Sequence, residues 1–220
     1  MIGNDIIDLR VANLKNNWQR ERYLGKIFTA NELKVIHNAE DKSLVIWYFW
    51  SMKEAVYKII SRKNQQRFFA PKSFDCQLGI DLSSELWERK VFSKVNTTQF
   101  VPKNSLPKSD ICIYKNQVFQ TQTFQSKNQL HTLAKTLDIS FQNIHHYLFK
   151  IPKSNYATQS KITHQQLITQ YAKFTRISKM NLSIKKNELG IPNLYFKNKR
   201  LPVLISISHH GNWGGFAIKF

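Results

Sequence analysis

Acidic side chains almost vanish from the second part of this sequence. After residue 88 only Asp110, Asp138 and Glu188 stand against 20 Lys and Arg, a net of +17; residues 1–88 carry 13 basic and 11 acidic groups, a net of +2. A surface this positive attracts polyanions: nucleic acid, anionic lipid, a phosphorylated ligand or an acidic protein. Cysteine is scarce too. Cys76 and Cys112 are the only two, which excludes a disulfide framework and a CxxC pair. Seven glycines and six prolines exclude a collagen-like or linker-dominated chain. No apolar run reaches the roughly 18 residues of a membrane span, so no membrane partner is expected. The chain opens on a strand-like segment and not on a basic stretch followed by an apolar one, which points away from secretion and to the cytoplasm. What is present is a core: 42% hydrophobic and 13% aromatic residues over 220 positions suit one large domain or two small ones.

Residues 1–9 read as a short buried strand, and the segment from Trp18 to Ala39 has a helical pattern. Inside it, Thr29 followed by Glu32 three positions on is a capping box that starts a helix. Residues 42–62 are hydrophobic nearly all round, which predicts a helix buried in the middle of the molecule. Strand formers then enrich at Phe74–Leu78, Lys90–Val95, Asp110–Tyr114, Val118–Phe124 and His131–Thr136. The pattern restarts with a strand at His146–Ile151, a helix at Lys161–Ile177 with Thr163 as N-cap, and strands at Leu194–Phe196, Val203–Ser208 and Gly215–Phe220. The expected class is α+β, in two similar halves, 1–140 and 141–220.

Three segments carry chemistry. In Gly3-Asn4-Asp5-Ile6-Ile7-Asp8 a carboxylate, Asp5, sits inside an apolar strand, which is costly without a partner. Taken alone, it suits a salt-bridged or capping aspartate. In Trp50-Ser51-Met52-Lys53-Glu54-Ala55-Val56-Tyr57-Lys58, the spacing i, i+4, i+8 puts Trp50, Glu54 and Lys58 on one helix face. A solvated Glu–Lys pair fits such an apolar helix poorly. A strand acid, a helix acid and a lysine suit a cation with a phosphate, because Mg²⁺ takes one or two carboxylates and bridges to phosphate oxygens. The third segment, Ile205-Ser206-Ile207-Ser208-His209-His210-Gly211, ends an apolar strand in small polar residues suited to ligand contact. Adjacent histidines point apart and no further Cys/His cluster supports zinc. No G-x-S-x-G elbow, Walker A, GxGxxG or H-E-x-x-H is present.

Together these segments resemble the 4′-phosphopantetheinyl transferase superfamily. That family shows a G-x-D strand, a W-x-x-K-E-[AS]-x-x-K helix, a G-x-P turn and an S-x-S-H strand. The matching positions are Gly3/Asp5, Trp50/Lys53/Glu54/Lys58, Gly190/Pro192 and Ser206/Ser208/His209. The segment order resembles that of a large, pseudodimeric member with its halves permuted. The resemblance implies two halves, each a helix on a small antiparallel sheet, related by a pseudo-two-fold axis in a monomer. It implies transfer of the 4′-phosphopantetheine arm from coenzyme A to a serine of an acidic acyl or peptidyl carrier protein. Asp5 and Glu54 would hold Mg²⁺, Glu54 and Lys58 would be catalytic, and Lys53, Lys58, Ser208 and His209 would contact coenzyme A. Two positions depart from the family pattern: Ile191 stands where many members have lysine, and Ile7 where some have a second acid. Two alternatives stand beside this reading. One is a nucleic-acid binder, supported by charge alone. The other is a degenerate homologue that binds coenzyme A or carrier protein without transfer.

Overall fold

A computed structural model describes residues 1–15, 18–79, 110–152 and 155–220. Strand β1 (Ile2–Asp8) is buried along its whole length. Three of its seven residues are isoleucine, a β-branched type that packs well on a pleated surface. Its two faces meet different partners. A Cβ on Gly3 would lie 2.0 Å from the Ala55 carbonyl oxygen, so the absence of a side chain is what lets helix α4 (Lys42–Asn64) press against the strand. On the opposite face, a Cβ on Gly215 would lie 2.4 Å from Ile6 Cδ1. β1 is thus a middle layer between α4 and the sheet of the other half.

The chain leaves β1 through three short helices before α4: α1 (Leu9–Lys15), α2 (Tyr23–Ile27) and α3 (Ala30–Asn38). The helical segment expected from Trp18 is therefore shorter and broken; Arg22 sits at φ 61°, a left-handed conformation that stops a helix from running through it. The capping box at Thr29 and Glu32 is present, with both reciprocal bonds formed. After α4 come β2 (Phe74–Gln77), β3 (Asp110–Tyr114), β4 (Gln117–Ser126) and β5 (Gln129–Lys135). They complete an antiparallel sheet in the order β1-β5-β4-β3-β2, with Asp5 opposite Thr132. The strand expected at 90–95 lies outside the described residues.

The second half holds β6 (His145–Lys150), α5 (Tyr156–Thr175), β7 (Leu182–Lys186), β8 (Pro192–Phe196), β9 (Lys199–Arg200), β10 (Leu204–His210) and β11 (Trp213–Lys219). Its strands form two three-stranded sheets, β10-β11-β6 and β7-β8-β9. The α+β class is as expected; among the described residues the first half carries five strands in its sheet and the second carries two sheets. Both halves place their first strand beside their last, and the last beside the one before it: β1-β5-β4 and β6-β11-β10. Helix α5 begins at the Asn155 N-cap, not at Thr163; the Thr163 hydroxyl lies mid-helix and bonds back to the Gln159 carbonyl at 2.8 Å.

One core gathers α4 and the first sheet, around Met52, Ala55, Val56, Phe74 and Leu130. A second gathers α5 with β7, β8, β10 and β11, around Leu167, Leu194, Ile205 and Phe216. A third, smaller cluster of Ile2, Leu133, Ile144 and Ala217 seals the halves together. Among the described residues no helix is long and apolar enough to cross a membrane.

Candidate active site

Asp5 leaves β1 on its α4 face, the face that Gly3 opens to the helix. It is 6% exposed. Its Oδ1 accepts from Lys58 Nζ at 3.3 Å and from the Ser208 hydroxyl at 3.0 Å. Its Oδ2 is buried without a hydrogen-bond partner among the described residues. Lys58 also donates to the Asn4 carbonyl at 2.6 Å, so its ammonium bridges strand backbone and strand carboxylate. Glu54 lies one helical turn before Lys58, and both Asp5 and Glu54 line a cavity of about 220 Å³ with Trp47, Trp50, His209 and His210. Burial, and then the Asp5 charge beside it, push the Glu54 carboxyl up to about 7, with Lys58 pulling the other way. Two acids thus line one cleft, Lys58 pairs with Asp5, and the other oxygen of Asp5 lacks a partner among the described residues.

That donor set fits a hard divalent cation. Two carboxylates offer oxygen ligands and leave room for water and phosphate oxygens, the arrangement suited to Mg²⁺. Among the described residues no group of three or more His, Cys, Asp and Glu forms a cage for zinc.

His209 closes another side of the cavity. Its Nδ1 meets Gln159 Oε1 at 3.1 Å, while the Gln159 amide nitrogen donates to the Gly211 carbonyl at 3.0 Å. With the amide so oriented, Nδ1 carries the imidazole proton. Burial, then the Lys186 and Lys58 charges, lower the His209 pKa to about 4, so the ring is neutral at pH 7. Tyr156 packs edge-on to it at 4.7 Å between ring centroids.

Lys53 is not at this site. Its side chain is fully buried beneath β2, where Nζ pairs with Glu32 Oε2 at 2.8 Å and donates to the Pro71 and Phe74 carbonyls at 3.0 and 2.5 Å. Glu32 in turn caps α3 and accepts from Cys76 N–H at 2.8 Å. The expectation that Lys53 reaches coenzyme A is corrected on this point: its neighbour Glu54 faces the cleft, and a helix turns 100° per residue, so Lys53 points into the core. At the motif positions that depart from the family, Ile7 is 5% exposed and Ile191 8%. Gly190, before Ile191, holds φ +72°, the left-handed conformation that suits glycine.

The sequence reading did not single out Gln159, which holds His209, or the pairing of Ser206 and His210 with β1. The N–H groups of Asn4, Ile6 and Asp8 donate to Ser206 Oγ, Ser208 Oγ and His210 Nδ1 at 2.9, 3.2 and 2.9 Å. The signal was the two-residue spacing of polar groups along β10.

Comparison with known proteins adds one finding. No protein of curated function matches the chain. Residues 1–100, the stretch that supplies Asp5, Glu54 and Lys58, match the family model of the 4′-phosphopantetheinyl transferase superfamily.

Proposed function

We propose that this protein transfers the 4′-phosphopantetheine arm of coenzyme A to a serine hydroxyl of an acidic carrier protein. Phosphopantetheinyl transfer is the chemistry of the superfamily. The observation that carries the reading for this chain is the meeting of Asp5, Glu54 and Lys58 in one cleft, closed from the other half by His209. The two halves, each with a helix on antiparallel strands in like order, suit a single chain that builds its site alone, as a monomer.

A bound Mg²⁺ would be held by Asp5 and Glu54 and would offset charge on the pyrophosphate of coenzyme A. Glu54 takes the proton of the carrier serine as its oxygen attacks the β-phosphorus. The bond from that phosphorus to the bridging oxygen breaks, and adenosine 3′,5′-bisphosphate leaves. Lys58, fixed by the Asn4 carbonyl and Asp5, supplies positive charge to the departing phosphate. With Nδ1–H engaged by Gln159, His209 presents its Nε2 lone pair, which bonds a phosphate oxygen through a proton brought in by a protonated phosphate or taken from solvent. The basic residues beyond position 88 draw in an acidic carrier.

The test is intact mass of a panel of apo-carrier proteins incubated with the protein, coenzyme A and Mg²⁺. A gain of one phosphopantetheine arm, stopped by EDTA, is the expected result. Coenzyme A binding without transfer to any acidic carrier would favour a binding-only homologue, in line with the apolar Ile7 and Ile191.

A further inference from the structure

We propose that Ser208 is a positioning residue that sets the rotation of the Asp5 carboxylate, and that it does so as one rung of a side-chain ladder joining the two halves. The proposal rests on the transferase reading above.

The ladder has a regular geometry. β5 occupies one edge of β1. At the other edge, the N–H groups of Asn4, Ile6 and Asp8 meet the side chains of Ser206, Ser208 and His210. Both strands advance by two residues per rung in the same direction, so β1 and β10 run parallel. β10 offers side-chain acceptors where a neighbouring strand would offer carbonyls. Each rung satisfies a backbone donor that is otherwise costly to bury.

Ser208 differs from the other two rungs. A hydroxyl has one proton and two lone pairs. Its oxygen accepts from Ile6 N–H, and its proton goes to Asp5 Oδ1 at 3.0 Å. Lys58 binds that same oxygen. Both bonds therefore fall on Oδ1 and leave Oδ2 bare. The terminal torsion of an aspartate is otherwise broad. Two charge-assisted bonds to one oxygen hold it. The same arithmetic redefines the expected role of Ser208: a phosphate is an acceptor, and this hydroxyl has already given its proton away. At 8% exposure no solvent competes for it.

Ser206 provides the matched control. Its hydroxyl accepts Asn4 N–H in the same ladder, without contact to Asp5. The experiment compares Ser206→Ala and Ser208→Ala for thermal stability, for Mn²⁺ binding followed by the EPR signal of free Mn²⁺ in the presence of coenzyme A, and for transfer kinetics. Both variants should lose stability, Ser208→Ala the more, since it also loses the bond to Asp5. Ser208→Ala alone should weaken Mn²⁺ binding about tenfold or more, the usual effect of removing a partner of a metal ligand. Its kcat should fall while the KM for coenzyme A holds. Ser208→Cys, which keeps the volume but offers a weak donor, should shift Mn²⁺ binding in the same direction if the alanine variant does not fold. Equal Mn²⁺ affinity in the Ser206 and Ser208 variants would overturn the positioning role. Normal Mn²⁺ affinity with a raised KM for coenzyme A would overturn it too, making Ser208 a substrate contact. A wild-type protein that binds neither Mn²⁺ nor coenzyme A would instead bring down the transferase reading, and this proposal with it.

Discussion

Glu54 holds a proton in the folded protein at pH values where an exposed glutamate has lost it. Its carboxyl titrates near 7, raised by burial first and by the Asp5 charge second. Between the ordinary glutamate value and about 7, the folded state binds more protons than the unfolded one. Stability is therefore fully present at low pH and falls as pH rises through that window, by roughly 3–4 kcal/mol. Glu54→Gln removes this loss. Melting temperatures of wild type and Glu54→Gln in EDTA should thus converge near pH 4.5 and part above pH 7, with the variant the more stable. Lys53 makes the opposite case. Truncating it leaves the Glu32 carboxylate buried without its counter-charge and takes a donor from the Pro71 and Phe74 carbonyls. Lys53→Ala should lose about 3–5 kcal/mol, read from urea midpoints, a structural effect and not a coenzyme A effect. Asp5, Glu54 and Lys58 were legible in the sequence because a charged residue in an apolar strand or helix demands a partner. Lys53 was misread because it stands next to Glu54 in one motif, and adjacent helical residues face different surroundings.

At the scale of elements, the local signals that could be read were those with a local cause. The Thr29 capping box, the all-round apolar α4 and the isoleucine-rich β1 each follow from a few neighbouring residues. The start of α5 was placed too late. Thr163 resembles a cap in composition, but its hydroxyl bonds within the helix and Asn155 does the capping, accepting from Thr158 N–H. β7 and β9 escaped notice because β7 ends in exposed lysines and β9 is two exposed basic residues. Glycine gives a sharp test of the layering. Gly3→Ala would drive a Cβ to 2.0 Å from the Ala55 carbonyl oxygen, and β1 and α4 would have to separate. Gly25, within α2, has open space around it. Gly3→Ala should cost several kcal/mol or prevent folding, while Gly25→Ala should stabilise by up to about 1 kcal/mol. Chemical denaturation of the two variants in parallel checks this.

Over the whole molecule, the cleft exists because segments 200 residues apart come together. No local pattern shows that the backbone of β1 is completed by Ser206, Ser208 and His210, and this is why the ladder was not legible while its members were. The charge asymmetry acts at this scale as well. If the basic excess steers an acidic carrier, the carrier KM should rise with salt while kcat at saturation changes little, since exposed charges are screened over about 8–10 Å at physiological ionic strength. Steep salt-dependent binding of an oligonucleotide, tight at physiological salt, would assign the charge to nucleic acid instead. The central claim is that Asp5 and Glu54 form one site for phosphopantetheinyl transfer. Its most direct test is the rate of mass gain by an apo-carrier protein with coenzyme A and Mg²⁺, measured for wild type, Asp5→Asn and Glu54→Gln, each confirmed to be folded. The expected result is transfer by wild type and a loss of orders of magnitude in kcat for either variant. Transfer by both variants at the wild-type rate would contradict the account.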